Sequence, residues 1–145
     1  METTFVREVT LRYKGQKKKN YFKVRDAAGA AAFFRKVLPD NVREHFIAMY
    51  LDGAHQVIGY SIVASGTGNA CAVSARDIFQ SAILMGSLAL LVSHNHPSQN
   101  QEPSSADRQV TKSIKEAGEL LGIKLLDHII VTESSFYSFC ENSEL

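Results

Sequence analysis

Residues 4–13 alternate between apolar and polar positions. Phe5, Val9, Leu11 and Tyr13 share one side, with Arg7 among them, and Glu8, Thr10 and Arg12 take the other. That period of two predicts a half-buried strand. Lys14 to Asn20 reads as a turn, and Tyr21 to Val24 as the returning strand. The period then changes. Asp26 is a candidate N-cap, and Ala27, Ala31, Phe34 and Leu38 make a helical stripe that Pro39 and Asp40 end. His45–Leu51, a turn at Asp52-Gly53 and a second strand to about Ala64 predict a hairpin. Ser74 can cap a helix from Ala75 to about Gly86, with Ile78, Ala82 and Met85 on one side. Leu88–Ser93 is a continuous apolar run, as expected of a buried central strand. After a polar loop over 97–105, a helix to Leu121 turns Val110, Ile114, Ala117 and Leu121 inward, and Gly122 closes it. Leu125–Thr132 is another apolar strand, Phe136–Cys140 a last short one, and the final residues are expected to fray. Interleaved helices and strands with a hairpin predict an α/β fold, a mixed sheet with helices packed on it.

The 145 residues suggest one domain with room for a core. No apolar run reaches the roughly 18 residues of a membrane helix, and the first fifteen residues hold no signal-peptide core. The expected location is therefore cytoplasmic. Cys71 and Cys140 form no C-x-x-C pair and read as small apolar residues in a reducing compartment. Charge divides the chain. Residues 1–25 hold eight Lys/Arg against two Asp/Glu, and residues 26–145 hold eight against thirteen. A basic hairpin over 1–25 thus precedes a single globular unit over 26–145. Lys14, Lys17, Lys18 and Lys19 could draw nucleic acid, or simply solvate a turn and guard an edge strand.

Chemistry concentrates where the central strand ends, in SHNHPSQNQEPSSAD. Strand residues i and i+2 point the same way, so His94 and His96 can aim two imidazoles into one space. Two imidazoles and a carboxylate make a catalytic zinc shell, with water in the fourth position. Asp107, in the first turn of the next helix, is the natural carboxylate. Ser104 can donate to an oxyanion, yet Ser104-x-x-Asp107 also has the form of a capping box. Local spacing does not locate a general base; Glu102 lies nearby in the loop. His128 reads either as a group orienting a ligand or as a satisfied core histidine. His45 and His55 carry no partner signal, and Ser93, Arg76 and Arg108 offer only weak cases for a part in the site.

The order H-x-H-x(7)-S-x(2)-D, from His94 through Asp107, resembles the JAMM/MPN metalloprotease signature. HNHPS, EAGELLGIKLLDHIIV and the upstream REHFIAMYLDGAHQVIG are similar to RadC-like proteins, over roughly residues 25–140. RadC-like chains often carry an N-terminal helix-hairpin-helix DNA-binding region, and this chain has the basic strand pair instead. Gln99 stands where the family usually has glycine.

The resemblance implies an α/β sandwich related to the cytidine deaminases, and it gives Glu44 of REHF the role of general base and then acid. A deaminase would need H-x-E and P-C-x-x-C, which are absent. The expected function is a zinc-dependent hydrolase of amide or isopeptide bonds. Its expected parts are His94, His96 and Asp107 on zinc, Glu44 as base and Ser104 at the oxyanion. The alternative is a DNA-associated binding module with a structural metal. Phosphodiester hydrolysis is weaker, because one zinc lacks the paired metals many nucleases use.

Overall fold

The computed structural model describes residue 10, residues 22–66 and residues 72–145. Apart from residue 10, the expected strand over 4–13 lies outside them, as do the Lys14–Asn20 turn and Cys71. The elements are α1 (Ala27–Val37), β1 (Glu44–Leu51), β2 (Val57–Gly66), α2 (Ala75–Met85), β3 (Ala89–Asn95), α3 (Ser105–Leu121), β4 (Lys124–Val131) and β5 (Phe136–Ser138). One sheet holds all five strands in the order β2-β1-β3-β4-β5. β3 and β4 run parallel, joined by α3, and the other neighbours are antiparallel. This is the mixed α/β sheet that the pattern predicts.

Both faces of the sheet are covered. On one, Phe46, Ala48, Tyr50, Leu90 and Val92 pack with Ile78, Phe79 and Ala82 of α2 and Ile114 of α3. On the other, Ile47, Met49, Leu51, Leu91 and Ile129 pack with Ala30, Ala31 and Phe34 of α1. Strand alternation does this sorting. Each fully buried aliphatic or phenyl group contributes roughly 1.5–3 kcal/mol relative to exposure. All seven residues of β3, the strand that carries His94, are buried.

Several ends differ from expectation for local reasons. Asp26 caps α1 by accepting from Gly29 N–H at 2.7 Å, as predicted. Ser74 stands at the N-cap of α2 without a side-chain cap bond. The β1–β2 connection is longer than Asp52-Gly53. The Asp52 carboxylate accepts from Ala54 and Gln56 N–H, and His55 adopts a φ of 60°. The returning segment near Lys23 makes only an isolated bridge to Gln56. The buried stripe of α3 is Thr111, Ile114 and Gly118, with Val110 and Ala117 beside it, and Leu121 is half exposed. Gly118 takes an inward place because a Cβ there would overlap the Ile123 carbonyl. β5 stops at Ser138, and the tail is held. Arg108 Nε donates to the Glu144 carboxylate at 3.0 Å, and Glu144 N–H donates to Phe139 O at 2.8 Å.

Candidate metal centre

β3 ends at the carboxyl edge of the sheet, with His94 buried and His96 one residue past the strand. α3 starts nearby with Ser104 as N-cap. The Ser104 hydroxyl accepts from Asp107 N–H at 3.1 Å, and the Asp107 carboxylate accepts from Ser104 N–H at 2.8 Å. The capping box therefore forms, and it aims Asp107 at the histidines rather than taking it away from them. Asp107 Oδ1 lies 3.2 Å from His94 Nε2, and its Oδ2 lies 3.4 Å from His96 Nε2. The two Nε2 atoms are 2.9 Å apart.

The hydrogen-bond network decides which ring nitrogens carry protons. Thr111 Oγ1 donates its one proton to the Asp107 carbonyl at 2.7 Å. It must therefore accept from His128 Nδ1, 2.6 Å away. His128 Nε2 is then bare and accepts from His94 Nδ1 at 2.8 Å. That leaves His94 Nε2 with a free lone pair. His96 reaches the same state independently, because its Nδ1 donates to the Asn100 carbonyl at 2.6 Å. Two lone pairs and a carboxylate thus face one space, and only a cation, a proton or a metal ion, reconciles them. A tetrahedral metal with bonds of about 2.0–2.2 Å wants donors roughly 3.4 Å apart. The donors present are near that spacing, and all three lie within 4.8 Å of one another. The donor set fits a metal.

Electrostatics agrees. Burial raises the Asp107 carboxyl, but His94, His96 and the Ser104 N–H outweigh it and hold it well below the usual carboxylate range. Burial lowers His96, while Asp107 and the Asn100 carbonyl raise it to a net increase. His128, fully enclosed, is pushed well below 6.5 and stays neutral, chiefly through desolvation. Its ring stacks on Phe139 with centroids 4.8 Å apart.

Glu44 opens β1. Phe46 pairs with His94, so continuing that antiparallel register brings Glu44 level with His96, on the same face. Desolvation raises its carboxyl, opposed by His94 and His96 and assisted by Asp107. It makes no side-chain hydrogen bond among the described residues. Its backbone is fixed instead. Asn95, between the two histidines and facing the other way, accepts from His45 N–H at 2.8 Å and donates to Arg43 O at 2.8 Å. Those are the peptide groups on either side of Glu44. Asp40 braces the same turn by accepting from Val42 and Arg43 N–H, both at 3.0 Å. His45 Nε2 lies 3.1 Å from Asp40 Oδ2, in contact but poorly aligned for a hydrogen bond.

Asn95 and Thr111 escape sequence reasoning. A signal for each exists: Asn95 has the opposite parity within H-N-H, and Thr111 follows Asp107 by four residues. His128 meets both of its readings: it is fully buried with both ring nitrogens hydrogen-bonded, and one of those bonds is to His94. Arg108 serves the tail and Pro103 O instead of the cleft, Arg76 is exposed, and the Ser93 hydroxyl is buried without a partner among the described residues. Gln99 has a φ of 66°, in the region that favours glycine, and its side-chain oxygen accepts from Glu133 N–H at 2.8 Å.

Comparison with known proteins places these residues within one matched segment. The RadC-like JAB domain family matches residues 24–145. A UPF0758 protein of Chlorobium phaeovibrioides is 35% identical over all 145 residues, which cover 65% of its own length. One from Haemophilus influenzae is 38% identical over 137 residues, 94% of this chain and 62% of the relative. One from Chlorobium luteolum is 42% identical over 108 residues, 74% of this chain and 48% of the relative. The chain thus spans from about half to just under two thirds of these curated relatives. With the matched segment containing β1, the two histidines, Asp107 and His128 together, the chain belongs to the RadC-like JAB domain family.

Proposed function

We propose that the chain is a zinc-dependent hydrolase of amide or isopeptide bonds. The observation that carries this reading is the meeting of two Nε2 lone pairs and the Asp107 carboxylate, with the Glu44 carboxylate on the same face. His94, His96 and Asp107 would hold the zinc, the three-ligand set of a catalytic site. Bound there, zinc supplies a Lewis acid and brings the pKa of water toward about 7.

The chain's own residues supply the rest. Glu44 takes a proton from the attacking water and later gives it to the departing nitrogen. Its raised pKa suits a group that must do both. The Ser104 hydroxyl accepts from Asp107 N–H, which leaves its own proton to donate to the oxyanion. His128 and Thr111 keep His94 Nε2 unprotonated, and Asn95 keeps Glu44 in register with His96.

The test is zinc content per chain, beside cleavage of peptide and isopeptide libraries by the parent and by Glu44→Gln. About one zinc in both proteins, with cleavage in the parent alone, is the expected result. Full cleavage by Glu44→Gln with zinc bound would remove Glu44 as the base.

A further inference from the structure

On the opposite side of His96 from Asp107's helix lies a cavity of about 260 Å³ between the end of α1, the His96–Asn100 loop and the β4–β5 turn. We propose that this cavity binds one apolar side chain of the substrate, that of the residue flanking the bond to be cut. The proposal rests on the hydrolytic reading of the neighbouring centre.

Size is the first argument. Ligand pockets typically run from about 300 to 1,000 Å³, so this one holds a single side chain rather than a nucleotide or a folded partner. Its walls give the second. Most of the polar groups around it are already paired with one another. Arg35 Nε and Nη2 donate to the carbonyls of Thr132 and Ser135, at 2.9 and 2.6 Å. Asn41 Nδ2 donates to the Glu133 carboxylate at 2.6 Å. Gln99 accepts from Glu133 N–H, and both ends of the Asn95 amide are spent on β1. What remains for an occupant is chiefly the apolar surface of the half-buried Leu38 and the stem of Arg35; Val131 lines the wall but is itself almost wholly covered. A polar side chain entering here would lose water and find few new partners; an aliphatic or aromatic one loses nothing. Position is the third argument. His96 and Asn95 line the cavity, while His96 Nε2 faces Asp107. A peptide whose reacting carbonyl sits at the metal cluster therefore needs to cross only one histidine ring to place a neighbouring side chain in the cavity. The clip from Gln99 to Glu133 and the Asn41–Glu133 bond hold the cavity's mouth in this shape.

The experiment is an NMR titration of the whole ¹⁵N-labelled chain with N-acetyl-leucine methylamide, and in parallel with N-acetyl-glycine methylamide. The proposal expects saturable shifts at the amides of Gln99, Thr132 and Glu133, and an affinity for the leucine compound at least about tenfold higher. Leu38→Trp fills the cavity and should abolish the shifts. Because Leu38 also caps α1, Asn41→Trp on the exposed rim serves as the second variant. Absent shifts, equal affinity for the glycine compound, or shifts unchanged in both variants would overturn the site. A peptide library with the zinc-loaded chain separates the two readings. Metal-dependent cleavage without an apolar preference beside the cut bond counts against the cavity. Leucine-amide binding with no cleavage of any peptide removes the hydrolytic reading and leaves the apolar site standing.

Discussion

The last residues of β3 serve two faces of the sheet, and the faces differ in kind. Toward α2 and α3, His94 and His96 stand among ionisable partners and end in lone pairs that no donor among the described residues satisfies. Toward α1, Asn95 is neutral and closed, with both ends of its amide bonded to backbone, and among β3's final residues on this side only the Ser93 hydroxyl is left over. Alternation along one strand thus separates reacting from holding, with a spacing of a single residue. The groups that could hold a metal ion are left unsatisfied, while the group that fixes the backbone beside them is fully satisfied.

Substitutions can break that division, starting with the largest effect. His96→Ala should take zinc from about one per chain to almost none by elemental analysis, and hydrolysis with it. Glu44→Gln should keep the zinc and lower the rate of peptide cleavage by about 10²- to 10⁴-fold. His128→Phe removes the acceptor that orients His94. Zinc affinity should fall about 10- to 100-fold by chelator competition, with the circular dichroism of the parent. Asn95→Ala should do the opposite. It strands the Arg43 carbonyl and the His45 N–H, so urea denaturation of the metal-free chain should show a loss of about 1–3 kcal/mol, while zinc affinity stays within a few-fold of the parent. If His128→Phe chiefly unfolds the protein, or Asn95→Ala chiefly loses the metal, the two faces do not divide the work as described.

The smallest effect is one of pH. His128 is held below its ordinary 6.5 by burial, so below that value the unfolded chain takes up a proton that the folded chain refuses. Its contribution to stability is present above about pH 6.5 and is lost as the pH falls. Between pH 7 and pH 5 the denaturation midpoint of the metal-free parent should fall relative to that of His128→Phe; His96, whose pKa the fold raises, adds stability in the opposite direction to both proteins.

The sequence made some of this readable and not the rest. The i, i+2 spacing of His94 and His96 needs only strand geometry to become a shared site, and Ser104-x-x-Asp107 needs only one helical turn. Both are local. Glu44 is separated from His94 by 50 positions, and only the pairing of β1 with β3 joins them; the residues alone mark it as a charge at a strand start, and the family resemblance was needed to single it out. Asn95 bonding to Arg43 and His45, and Thr111 bonding to His128, are likewise products of tertiary register. Leu121 departs from the expected stripe for a related reason. A helical stripe predicts which side faces inward, but the close approach of Ile123 to Gly118 decides where along the helix the contact stops. The tail was expected to fray, and the ion pair that holds it joins Arg108 to Glu144 across 36 positions.

The two histidines reach the same state by separate routes, and both routes end on a peptide carbonyl, that of Asp107 for one and Asn100 for the other. A peptide carbonyl does not titrate in water and is made identically by every residue type. The direction in which His96 points its spare electrons is therefore anchored directly to the main chain, while His94 is anchored through His128, an imidazole that burial keeps neutral. Acid competes with a metal for those electrons at both rings, but only the His94 route contains a further group that acid can reach. Residues in the Asn100 loop can therefore drift in evolution while the carbonyl at that place goes on setting the ring's sense.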